Sequence, residues 1–179
     1  MRTYIALLRG INVSGQKKIK MAELREHLAE LPYSNIQTYI QSGNLLFDRE
    51  ETDSSVIEKE IHEKIREKYG FEVPVMVKTK EDFQHVVNHH PFIRQRNEDP
   101  KYVHVTFLEN APDPALVEAL RSVEYTPEEF EIDEAYFYFF SPNGYGRAKL
   151  DNNFIERKLK LRATTRNWKT VTKLLEMVS

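Results

Sequence analysis

The sequence contains no cysteine. That absence excludes thiol nucleophiles, thiolate zinc sites and disulfides together, and with them the cross-linked scaffold of a small secreted protein. Long apolar runs are missing too. None approaches the ~20 residues that cross a bilayer as a helix, and the opening Met1-Arg2-Thr3-Tyr4-Ile5-Ala6-Leu7-Leu8 lacks the plan of a signal peptide. A cytoplasmic location with no membrane partner is the expectation. No sign of charge dominates either, since the formal net charge is −2. What is present is a globular balance, 40% hydrophobic and 30% charged, in 179 residues. A chain of that length buries roughly 70% of its unfolded surface, so it needs no metal or cross-link to fold.

The near-neutral total hides a pattern. Residues 1–20 sum to +5 and residues 141–179 to +6, while residues 21–140 carry −13. If folding joins the two ends, they form one basic surface on an acidic body.

Hydrophobic periodicity gives the element order. Thr3–Arg9 is apolar on both faces and predicts a central strand covered on both sides. A glycine-containing loop leads to a helix over 21–31, striped by Met21, Leu24, Leu28 and Leu31 and followed by Pro32. Strands over 36–41 and 45–47 flank the turn Ser42-Gly43-Asn44. A long helix follows, with Ser55 and Glu58 at capping-box spacing and Val56, Ile57, Ile61, Ile65 and Tyr69 as its stripe. Val73–Val77 alternates as a strand, and Pro74 favours a sheet edge. This is βαββαβ, the ferredoxin-like plait.

Thr79 is positioned to cap a short helix carrying Phe83, Val86 and Val87. Residues 88–101, with Pro91 and Pro100, read as a linker. The pattern then restarts. A strand over 102–108 precedes a helix opened by Asp113 and Pro114, then strands over 130–133 and 135–140, a helix over 153–160, a short strand over 162–165 and a last helix over 167–178. The expected organisation is therefore α+β: a first ferredoxin-like half at 1–79, a helix and linker at 80–101, and a second half with an added C-terminal helix at 102–179.

Three polar clusters could carry chemistry. The first is Arg9-Gly10-Ile11-Asn12-Val13 with Lys17-Lys18, between a strand and a helix whose N-terminus offers free N–H groups to an anion. It has neither the Walker A ending nor a GxGxxG pattern, and a solvated glycine turn explains it as well. The second is Gln41-Ser42-Gly43-Asn44, either a hairpin turn or a pair of amides set beside the first cluster. The third comprises Gly146, Arg147 and Lys149, then Asn152 and Asn153, then Arg166, Asn167 and Lys169. It mixes cations and amides near two predicted helix starts and reads either as a phosphate or carboxylate site or as caps on a basic face.

These clusters also carry a family resemblance. Arg9-Gly10-Ile11-Asn12-Val13, Met21-Ala22-Glu23-Leu24, Thr38-Tyr39-Ile40-Gln41-Ser42-Gly43-Asn44, Asn152-Asn153-Phe154-Ile155-Glu156 and Thr164-Thr165-Arg166-Asn167-Trp168-Lys169-Thr170-Val171 closely resemble the bacterial domain of unknown function 1697 family. The resemblance spans nearly the whole chain and is less distinct over 50–140. It implies paired ferredoxin-like halves and carries no established activity and no catalytic residue.

Weaker constellations remain. His85 and His89 stand four apart with Glu81 four before, a spacing able to hold a metal, but HExxH is absent and polar surface histidines explain it better, so no metal or cofactor is expected. The strand Tyr136-Phe137-Tyr138-Phe139-Phe140 invites comparison with base-stacking sheets, yet aromatics on both faces of a strand point to a sheet covered on both sides. The resulting expectation is a small anionic metabolite bound between the halves by a binding protein or enzyme. A nucleic-acid-binding module and a ligand-free interaction protein are the alternatives.

Overall fold

The apolar opening segment forms strand β1 (Arg2–Leu8), and it takes the inner position its two-sided hydrophobicity demands. The computed structural model describes residues 1–179. After β1 come α1 (Met21–Leu28), β2 (Ser34–Tyr39), β3 (Asn44–Arg49), α2 (Ser54–Tyr69) and β4 (Val75–Thr79). The four strands form an antiparallel sheet in the order β2-β3-β1-β4. Leu24 and Leu28 of α1 and Ile57, Ile61 and Ile65 of α2 pack on one face of it, against Tyr4, Ala6, Leu45, Phe47, Val75 and Val77.

Two details of this half differ from the sequence reading. The predicted capping box does not form. Asp53 caps α2 instead, accepting from the Ser55 amide at 2.8 Å. Glu58 turns away and accepts from the Val77 amide at 2.9 Å, tying α2 to the edge strand. Pro74 precedes β4 rather than sitting within it, and its carbonyl accepts from the Arg9 amide at 3.1 Å.

The second element series is α3 (Lys80–His89), α4 (Pro91–Arg94), β5 (Val103–Leu108), α5 (Pro114–Arg121), β6 (Glu129–Asp133), β7 (Tyr136–Phe140), α6 (Asn152–Leu159), β8 (Ala163–Asn167) and α7 (Trp168–Met177). Its antiparallel sheet runs β6-β7-β5-β8, repeating the first topology. The fold is thus two tandem ferredoxin-like halves with an added C-terminal helix. The chain divides into two compact units, Met1–Phe83 with Leu174–Ser179, and Gln84–Lys173, so the boundaries fall inside α3 and α7. No helix is long and apolar enough to cross a membrane.

Residues 88–101 are not a free linker. His90 and Phe92 are buried, with Phe92 stacked 5.8 Å from Phe140 and the His90 ring 4.7 Å from that of Tyr138. The segment folds down because these rings cover one face of the second sheet. Leu120 of α5 and Ile155 and Leu159 of α6 cover the other, against Phe137 and Phe139. All five residues of β7 are buried, so none of its rings is presented for stacking on a base.

Candidate functional site

The first two polar clusters meet, and they meet by spending their polar groups on each other. The Asn12 side chain donates to the carbonyls of Ile19 at 3.0 Å and Gln41 at 2.8 Å, and accepts from the Ile19 amide at 2.8 Å. Asn44 is fully buried and donates to the Tyr39 carbonyl at 2.8 Å and the Ser42 hydroxyl at 3.2 Å. Lys17 reaches the Glu72 carbonyl at 2.6 Å. Gly10, Lys18, Gln41 and Ser42 are exposed, Arg9 is half-buried, and Gly43 is buried. The Asn12 and Asn44 amides are thus braces for the loop and hairpin.

The third cluster separates into inner and outer members. Asn152 braces α6 to β8: it donates to the Ala163 carbonyl at 3.0 Å and accepts from the Thr165 hydroxyl at 2.9 Å. The cap of α6 is Asp151, which accepts from the Phe154 amide at 2.9 Å, and not either asparagine. The backbone amides of Lys149 and Leu150 both donate to the Glu128 carboxylate. Asn167 caps α7 by accepting from the Thr170 amide at 2.8 Å. Arg166 is 8% exposed; burial pushes its guanidinium down to about 10, partly offset by Tyr145, and it donates to the Thr165 carbonyl at 3.0 Å. Gly146, Arg147, Lys149, Asn153 and Lys169 stand on the surface.

Within the second unit a cavity of about 640 Å³ opens where β5, β8 and α7 converge. Asn167 and Lys169 line it; Arg166 does not. Trp168, Tyr145, Pro100, Lys101, His104 and Thr172 complete the wall. The ring of His104 stacks 5.0 Å from that of Tyr145. His104 is 7% exposed, and its Nδ1 atom is sealed from solvent with no hydrogen-bond partner. Burial lowers its pKa to about 4; the nearby Tyr102 carbonyl opposes this without completing a hydrogen bond to Nδ1. The imidazole is therefore neutral at pH 7. Lys101 is shared with Asp99 at 3.5 Å and with the face of Tyr102 at 4.7 Å.

His104 was invisible to sequence reasoning because it sits in a strand that alternates with valines and looks purely structural. Its only signal was the polarity of one residue in an apolar run. His85 and His89 do not form a metal centre. His85 bonds Asp133 at 2.8 Å, His89 donates to the His85 carbonyl at 2.8 Å, and no three acidic or histidine side chains converge as metal ligands.

Comparison with known proteins agrees with this fold. The chain aligns with "the structure of conserved bacterial protein SP0830 from Streptococcus pneumoniae" at 26% identity, with a TM-score of 0.75 and 99% of each chain covered. No curated protein matches. Residues 1–138 match the family described as "Protein of unknown function (DUF1697)", which takes in the whole first half and the second as far as β7. The chain belongs to the DUF1697 family.

Proposed function

We propose that this protein binds a small organic anion with a flat apolar body in the cavity of its second unit. The volume, about 640 Å³, lies within the ~300–1,000 Å³ range of small-molecule sites. Trp168, Tyr145 and Pro100 supply flat apolar wall, and His104 and Asn167 supply the few fixed polar groups such sites use for orientation. Lys169 is exposed and forms no ion pair, so its charge is available to a carboxylate or phosphate at the rim. The observation that supports this most is the meeting, at one cavity, of a buried imidazole whose Nδ1 has no hydrogen-bond partner and an ammonium without an ion pair.

Trp168 is the sole tryptophan and lines the cavity, so its fluorescence reports occupancy. Titration with benzoate, phenyl phosphate and adenosine monophosphate should change that emission saturably for at least one probe. Lys169→Ala should weaken binding by roughly three- to tenfold. Emission unaffected by every probe to millimolar concentration, or equal affinity in Lys169→Ala, defeats the reading. Binding of RNA or DNA that falls steeply with salt would favour a nucleic-acid partner instead.

A further inference from the structure

Strand β6 sets three carboxylates on one face, Glu129, Glu131 and Asp133, in register with Phe140, Tyr138 and Tyr136 of β7. The two outer acids are matched by basic side chains from the preceding helical segment. Asp133 meets His85 at 2.8 Å, and Glu129 meets Arg96 at 2.8 Å, with Glu98 also engaging Arg96. Glu131, between them, has no hydrogen bond and no ion pair. Its cross-strand neighbour Tyr138 is 2% exposed, and the Tyr138 hydroxyl is sealed from solvent with no hydrogen-bond partner. A buried hydroxyl left unpaired is costly unless something completes it. Both residues line a second cavity, about 530 Å³, together with Phe92 and Gln95.

We infer that this cavity is a binding site for a small organic ammonium ion, which gives Glu131 the kind of ion pair that Glu129 already has with Arg96. An ammonium group donates three hydrogen bonds, and the wall offers the Glu131 carboxylate and the Tyr138 oxygen to receive them. The potential there favours a cation. Arg96 is already offset by Glu129 and Glu98, while burial together with Asp133 and Glu134 raises the Tyr138 hydroxyl above the usual phenol range. A metal ion is the poorer occupant, because no three acidic or histidine side chains converge. The site is separate from the anion cavity and does not depend on it.

The test uses the full-length chain, phenethylammonium as probe, and 3-phenylpropionate as the matched anion, followed by amide chemical shifts. The expected result is saturable shifts at Gln95, Glu131 and Tyr138 with the ammonium and none there with the carboxylate. Glu131→Gln, a surface change that spares the fold, should weaken binding roughly tenfold. Tyr138→Phe should weaken it severalfold, provided circular dichroism shows the native fold. No saturable shift to 10 mM (about the weakest binding worth assigning), equal affinity in Glu131→Gln, or displacement of the probe's role by magnesium or zinc ions alone, overturns the assignment.

Discussion

The amide of Leu8 donates to the carbonyl of Gly43 at 2.8 Å, and no space for a methyl group remains between the two residues. A Cβ added to Gly43 would lie 2.7 Å from the Leu8 Cβ and 2.7 Å from the Ile11 Cδ1 atom. The residue also sits at φ +91°, where L side chains are strained. Gly43→Ala should therefore destabilise the chain by about 2–4 kcal/mol, strain and overpacking together. The urea unfolding midpoint measures it; a loss under 1 kcal/mol would mean the hairpin yields easily.

Three residues earlier, Ile40 adopts φ +51°, a conformation that β-branched residues avoid, and it is 46% exposed. Little burial offsets that strain. Ile40→Gly should stabilise by about 1 kcal/mol and raise Tm by about 2–4 °C. Thermal unfolding followed by circular dichroism decides the sign.

Much of this hairpin was legible in the sequence, and some was not. Ser42-Gly43-Asn44 announces a turn, the two-sided hydrophobicity of β1 predicts its inner place, and Pro74 beside β4 predicts an edge, because period and turn chemistry are local properties. The braces are not local. Asn12 finds Gln41 only after the loop and hairpin have met, so the sequence alone leaves its amide open to a ligand. Residues 88–101 looked like a linker because two prolines and several charges mask the buried pair His90 and Phe92, whose partners lie in a strand about 50 residues further along. In the third cluster the sequence shows cations and amides by type, but their division into braces and rim depends on the path of β8.

Asn152 and Asn153 should accordingly behave differently despite adjacency. Asn152→Ala leaves the Ala163 carbonyl and the Thr165 hydroxyl without that partner and should cost about 2–3 kcal/mol. Asn153→Ala, on the exposed side of α6, should stay within about 0.5 kcal/mol. Chemical denaturation of the two variants beside the parent makes the comparison; equal losses would count against the brace.

Two buried imidazoles set a pH dependence. His90 donates through Nε2 to the His104 carbonyl at 3.0 Å, and burial holds both rings down to about 4. Unfolded histidines titrate near 6.5. Between those values the unfolded chain binds more protons, so stability falls as pH drops from about 6.5 toward 4 and is fully present above that window. Each ring accounts for on the order of 3 kcal/mol across it. Glu30, held at about 2 by Lys68 and Lys64, loses its contribution from its unfolded value near 4.3 downward, so the histidine slope is read above about pH 5. Urea unfolding at pH 7.5, 6.0 and about 5 should show the slope, and His90→Gln should flatten it. A parent profile that is level over this range contradicts the neutral burial of both rings.

The last six residues, Leu174–Ser179, count with Met1–Phe83 and not with the segment that directly precedes them, and Leu174 is fully buried. During synthesis, the N-terminal strands and helices leave the ribosome long before these closing residues exist. That unit stays incomplete until these residues are made, so a nascent chain stalled at residue 173 should be cleaved by protease within its N-terminal half far faster than the full chain.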